Sequence, residues 1–392
     1  MLHAIILAVG KESAEAMVRI VQRSGHIKVD SVFAPAESAH HFVLKLNGLS
    51  PELVLIEMGD DRNASYCSLV RERAPEAIML GFSTREPAMV DPVWPSNPTE
   101  PREPWPLTPS ELVRIARRGY ALRYPGPFDN LVAMLPAKAG CGASTTLLNV
   151  AGKLDQSFQK RVLVVDGDLR SGALAETLNT TPTCSVAHTL ADSYHLPTLM
   201  WNQQVLEQDG VHLMPSRRDA CGPLPQWYEW ARLMRFAASR YDMVMVDLPE
   251  VINDASAEVV RLARAVYVVT TPELPALQLA RSRIAELNDV QPDTDRVRIL
   301  INRWHRSDVH PRDVAKALGR RVEAVLPNDY LSVKKAILRN GYVDAKTSLG
   351  AAYGALAGFL VNAGPPPMVE EPKSKLLAAF VPAQVQVRRR TA

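Results

Sequence analysis

The 392-residue chain has little of what marks a secreted, metal-clustered or membrane-spanning protein. Its four cysteines, Cys67, Cys141, Cys184 and Cys221, lie far apart with no CxxC pair. That spacing argues against a zinc site or a disulfide framework and fits a reducing cytoplasm. No apolar run approaches the roughly 20 residues that a transmembrane helix needs. The start, Met1 to Leu7, lacks a basic segment and reads as a strand, so no signal peptide is expected. Net charge is +3, too small an excess to argue for nucleic acid, and no nucleic-acid partner is expected. His40 and His41, and the His305–His310 region, form no compact ligand set. What is present is 47% apolar against 22% charged residues, the balance of a globular protein with sizeable cores. There are 30 prolines, and their clustering marks linkers.

Hydrophobic patterning divides the chain. Residues 1–86 alternate strand-like and helix-like runs. Ala4–Val9, Lys28–Phe33, Leu53–Ile56 and Ala77–Phe82 read as strands, with helices over Ser13–Ser24, Ala36–Asn47 and Ala64–Arg73. This order implies a parallel sheet covered on both faces. Residues 87–129 are a proline-rich linker followed by a helix from Pro109 to Leu122, which closes the first domain or bridges to the next. Residues 130–363 repeat the α/β pattern, with strands predicted at Val132–Leu135, Val162–Val165, Val211–Met214, Met243–Val246, Ala265–Thr270, Val297–Ile301 and Val322–Leu326. Residues 364–392 read as a disordered tail, basic at Arg388–Arg390. Weak membrane contact through Lys373–Val381 is a second reading, although Pro382 limits any helix there to two turns. Trp227, Tyr228 and Trp230 read as core or interface packing.

The second domain holds a nucleotide-site pattern. Leu131–Leu135 leads into Pro136-Ala137-Lys138-Ala139-Gly140-Cys141-Gly142-Ala143-Ser144-Thr145, and a helix follows. Strand, glycine loop and helix together make a phosphate-binding loop. The usual lysine after the last glycine is absent: Ala143 stands there, and Lys138 sits at the front instead. A second strand ends in Asp166 and Asp168. A third, Met243–Val246, ends in Asp247, as a Walker B strand does. Ser144 and these carboxylates are the candidate Mg²⁺ ligands, with Asp166 and Asp247 acting through water.

The segment from Leu131 to about Leu360 resembles the MinD/ParA superfamily of deviant Walker ATPases. Lys138 matches the signature lysine, and Ala139 to Thr145 the nucleotide-binding turn. Asp168 matches the residue that positions water, so Asp168 and Lys138 are the catalytic candidates that the resemblance implies. Asn302 and Arg303 resemble the segment beside the adenine base, and Pro327 begins the later base-contacting loop. The expected fold is therefore α/β, a receiver-like N-terminal domain followed by a doubly wound, mostly parallel P-loop sheet. The receiver chemistry is depleted: Val9, Gly10 and Lys11 replace the acidic pair, and Glu57 replaces the phosphoacceptor aspartate. Glu57 reads as a mimic of a charged state or as a solvated side chain. This domain pair, with Ala143 for lysine and with Leu326–Tyr330 and Ala336–Gly341, resembles the CpaE/TadZ pilus assembly family. The resemblance implies ATP with Mg²⁺, a homodimer, partners in a pilus secretion machinery, and a cytoplasmic place that is polar or membrane-peripheral. Hydrolysis is expected to be slow or absent. Rival readings are an active MinD/ParA-like ATPase that positions cargo and a non-phosphorylatable, receiver-coupled regulator.

Overall fold

The computed structural model describes residues 1–33, 39–58, 61–83, 102–104, 107–172, 174–177, 179, 184–198, 200–217, 223–290 and 293–362. The tail, most of the proline-rich stretch and Cys221 lie outside them. The chain divides into two compact units, Met1–Pro125 and Gly126–Ala392. Among the described residues no helix is long and apolar enough to cross a membrane.

The first unit runs β1 (Leu2–Leu7), α1 (Lys11–Ser24), β2 (Ile27–Phe33), α2 (Ala39–Asn47), β3 (Leu53–Glu57), α3 (Asp61–Arg73), β4 (Ile78–Ser83), β5 (Arg102–Pro104) and α4 (Pro109–Arg123). Its parallel sheet has the order β2-β1-β3-β4-β5. β1 and β3 are buried almost throughout, because helices cover both faces of such a sheet. Phe42 fills one side of the core, edge-on to Phe33 at 4.7 Å and stacked on Tyr66 at 4.5 Å between ring centres. β5 has no counterpart among the predicted strands. Among the described residues it pairs with β4 alone, at the sheet edge, where proline is tolerated.

α4 starts at a capping box, with Pro109 at its first position and Thr108 accepting the Glu111 N–H at 3.3 Å. Its apolar stripe, Leu112, Ile115, Ala116 and Tyr120, is buried against α1 and β4. The helix therefore lies inside the first unit.

Glu57 does not face solvent as a merely solvated acid would. It is 4% exposed at the end of β3. Its Oε2 accepts the Val9 N–H at 2.7 Å, and its main-chain oxygen accepts from Asn63 Nδ2 at 2.7 Å. The carboxylate thus pins the loop after β1 to the end of β3.

The second unit runs β6 (Phe128–Pro136), α5 (Ala143–Phe158), β7 (Val162–Asp166), α6 (Leu174–Thr177), α7 (Val186–Ala191), β8 (Leu206–Gln208), β9 (Val211–Met214), α8 (Trp227–Arg240), β10 (Met243–Asp247), α9 (Asp254–Leu262), β11 (Ala263–Thr270), α10 (Leu274–Val290), β12 (Val297–Trp304), α11 (Pro311–Leu318), β13 (Val322–Pro327), α12 (Tyr330–Leu338) and α13 (Ser348–Leu360). The strand order is β13-β12-β11-β6-β10-β7-β9-β8. All pairs are parallel except β8 with β9, a short edge hairpin not visible in the hydrophobic pattern. α5 and α13 form one helical layer; α8, α9 and α10 form another. Trp227, Tyr228 and Trp230 are buried on α8. The chain leaves β6 toward β7 on one side and reaches β11 on the other, so the loop after β6 sits at the topological switch point, where open α/β sheets bind ligands.

Replacing Glu57 with alanine would leave the Val9 N–H without its acceptor. We expect a loss of about 1–3 kcal/mol in chemical denaturation, with Glu57→Gln costing less because an acceptor oxygen remains.

Candidate nucleotide site

β6 delivers the chain into a turn built on two left-handed glycines, Gly140 (φ 79°) and Gly142 (φ 88°). Cys141 N–H closes the turn on the Lys138 carbonyl at 3.2 Å. Gly142 caps α5 with no side chain, so the first N–H groups of the helix open on the turn. A side chain at Gly142 would meet Asn302, its Cβ falling 2.4 Å from Nδ2. That contact matters because Asn302 Nδ2 donates to the Cys141 carbonyl at 2.8 Å. Asn302 is buried, and its Oδ1 accepts the Arg303 N–H at 2.9 Å. The residue matched to base recognition therefore also ties the end of β12 to the turn. Arg303 is exposed and left-handed, φ 55°. Pro327 ends β13 in register with Trp304.

Ala143 is 4% exposed and stands at the first helical position. Ser144, next along, carries a hydroxyl that favours the charged form of the Asp247 carboxyl. Thr145 is half-buried, and its carbonyl accepts from Asn149 Nδ2 at 2.8 Å. Ala139 lies exposed at the front, where its N–H donates to Glu250 Oε2 at 2.9 Å. Half-buried Lys138 acts on Glu273, whose carboxyl is held below its ordinary value first by the Thr271 hydroxyl and then by the Lys138 and Arg303 charges.

Asp166 and Asp247 are register partners on β7 and β10. Both are buried, at 0% and 4% exposure. Asp166 Oδ2 accepts the Ser216 hydroxyl at 2.8 Å, and Oδ1 accepts the Asp168 N–H at 3.2 Å. Gly172 lies against this carboxylate: a Cβ there would fall 2.2 Å from Asp166 Oδ2. Asp166 is thus enclosed by its own loop and by Ser216. Burial, followed by the Asp168 charge, pushes its carboxyl up to about 6. Asp247 is pushed up to about 8 by burial and by the Asp166 charge, with the Ser144 hydroxyl pulling the other way. Asp168 is half-buried and turns the loop, its Oδ1 accepting the Arg170 and Ser171 N–H groups at 3.3 and 2.9 Å. It lines a cleft of about 320 Å³ with Trp230, Glu250 and Asn253.

Among the described residues no set of three or more His, Cys, Asp or Glu side chains is placed to hold a metal ion. Ser144 with Asp247 still fits Mg²⁺, which keeps most of its waters and needs one or two protein ligands beside the phosphates. A buried acid raised by a neighbouring acid is the kind of group that a divalent cation relieves. His310 caps α11 by accepting the Arg312 N–H, and His305 pairs with Asn328. Glu250, Glu273, Ser216 and Gly172 were not among the sequence candidates. Gly172 follows Asp168 on the same loop, while Glu250, Glu273 and Ser216 are isolated residues on three other loops, brought in by the sheet order.

No protein-family model matches this chain. The chain is 26% identical over 191 residues to the tyrosine-protein kinase wzc of Salmonella typhi, a match covering 47% of this chain and 24% of the kinase, so it spans about a quarter of that relative. It is 23% identical over 214 residues to the septum site-determining protein MinD of Thermotoga maritima, covering 51% of this chain and 75% of that protein. In structure, the ParA family ATPase from Chlorobium tepidum TLS matches with a TM-score of 0.54 at 24% identity, over 58% of this chain and 98% of that one. In strand order, phosphate loop and sequence the second unit is similar to MinD/ParA-like P-loop ATPases.

Both buried carboxyls bind protons more tightly folded than unfolded, where an aspartate titrates near 3.9. Their contribution is therefore complete below about pH 4 and is lost as pH rises through about 6 and about 8. Thermal melts in EDTA should show Asp247→Asn gaining on the wild type as pH rises from 5 to 8. Parallel pH profiles for the two proteins would count against the assignment.

Proposed function

We propose that this protein is a localisation and assembly factor of the CpaE/TadZ type, serving a Tad (Flp) type IV pilus secretion system. Its second unit binds ATP with Mg²⁺ as a homodimer and hydrolyses it slowly or not at all. The observation that carries this reading is Ala143, buried at the helix position where a phosphate-cradling lysine belongs, in a turn otherwise kept intact. Backbone N–H groups of the turn and of the α5 N-terminus remain for phosphate oxygens. Ser144 and Asp247 would hold the cation, which supplies charge neutralisation at the phosphates. Asn302, Arg303 and Pro327 would flank the base.

What is lost is the fixed cation that stabilises charge on the transferred phosphoryl group. Removing one such preorganised contact costs on the order of 10²–10³ in rate. Lys138 would supply that charge only across a dimer, reaching the partner subunit's nucleotide. Asp168 would orient water there; in the free chain its Oδ1 turns its own loop.

The first unit reads as a receiver-like docking module without phosphotransfer. Its strand order, β2-β1-β3-β4-β5, is the flavodoxin-like one. Glu57, at the phosphoacceptor place, is buried on the Val9 N–H.

Calorimetry should show ATP binding that requires Mg²⁺, while turnover stays near background and rises in Ala143→Lys. Robust wild-type turnover abolished by Lys138→Ala would replace this reading with that of an active positioning ATPase. Pilin and secretion-ATPase genes beside its own, and a fluorescent fusion gathering at one pole, are the expected outcomes for the pilus role.

A further inference from the structure

Helix α12 sits on the second unit with its apolar side outward. Of its nine residues only Ala336 is buried. Tyr330 is 70% exposed, Leu331 68%, Leu338 74% and Ile337 41%. At about 100° per residue, Ile337, Tyr330, Lys334, Leu338, Leu331 and Lys335 follow one another around a single arc centred opposite Ala336. A surface helix ordinarily shows the reverse arrangement, with its apolar stripe toward the core. Lys334, Lys335 and Arg339 are exposed along or beside this stripe. The acid at the helix start, Asp329, is half-buried and engaged by the helix itself: its Oδ1 caps it by accepting the Ser332 N–H at 3.0 Å. That cap and the Lys335 charge hold its carboxyl below the usual range.

Both ends of α12 are fastened. Beyond its C-terminus the Gly341 N–H returns to the Ala336 carbonyl at 3.0 Å, and Gln208 Nε2 donates to the Asn340 carbonyl at 2.9 Å. The result is a helix held at both ends that carries an exposed tyrosine, three aliphatic side chains and three cations. Interleaved lysine and leucine suit a surface that is apolar beneath and anionic above, since lysine stems lie along apolar material while their ammonium groups reach the charge. Tyrosine suits the same boundary.

We propose that α12 is a docking ridge for an anionic lipid surface, lying in the headgroup region with Tyr330, Leu331 and Leu338 inserted. The proposal is independent of nucleotide binding and of the basic tail. A single short amphipathic segment binds modestly and gains from a second signal. A paired copy, carrying a second ridge, would multiply the affinity.

The test is co-sedimentation of the full chain with vesicles of phosphatidylglycerol and phosphatidylcholine, compared with phosphatidylcholine alone. The wild type is expected to sediment with the anionic vesicles and not with the neutral ones. Leu331→Ser with Leu338→Ser, and separately Lys334→Glu with Lys335→Glu, should each weaken binding about tenfold or more with thermal stability unchanged, as expected for exposed positions. Three results would overturn the proposal. The wild type could fail to sediment with anionic vesicles. Both double variants could bind undiminished, which would assign the contact elsewhere, to the basic tail for example. The variants could instead lose a dimer on size exclusion, making α12 a protein–protein surface.

Discussion

Two carboxylates that must be buried side by side organise the second unit. Asp166 and Asp247 end adjacent parallel strands in the same register, so their backbones are fixed close together before any side-chain choice is made. Neither group keeps its ordinary acidity there. The surrounding residues answer that constraint. Ser216 and the Asp168 N–H accommodate Asp166, Gly172 has no side chain because the carboxylate needs its space, and the Ser144 hydroxyl offsets part of the burial felt by Asp247. Asn302 then secures the phosphate loop from the far side. The loop is shaped by its neighbours as much as by its own glycines.

The first unit solves a similar problem with one acid. A glutamate at the end of β3 is long enough to reach the Val9 N–H in the loop after β1. The same position can host reactive chemistry only if the carboxylate is free, and here it holds two loops together. The two units thus share a trait: an acid at the C-terminal end of a parallel strand, Glu57 in one and Asp166 in the other, tied into the local backbone.

Much of this was legible in the sequence, and the reasons are physical. Strands buried on both faces become unbroken apolar runs, and those runs located most of the sheet. Glycines followed by a helix start announced the phosphate loop, because few other residues tolerate the left-handed conformation at Gly140 and Gly142. β5 and β8 escaped because three-residue edge strands carry no period, and β5 ends in proline. The burial of Glu57 escaped for a different reason: a single charged residue gives no sign of whether its partner is solvent or the Val9 amide. Ser216, Glu250 and Glu273 lie far from the loop in sequence. Only the β6-β10-β7-β9 and β6-β11 neighbourhoods bring them to it.

The contact between Glu250 and the Ala139 N–H has a consequence for any affinity measured at this site. The front of the loop already holds an anion of its own. An incoming phosphate that uses that N–H must evict a carboxylate, so binding is an exchange of one anion for another and its strength reads as a difference. The exchange also frees a charged side chain three residues beyond Asp247, next to exposed Val251. Filling the loop would therefore be reported on the surface of the molecule as a displaced glutamate, with no rearrangement of the sheet required.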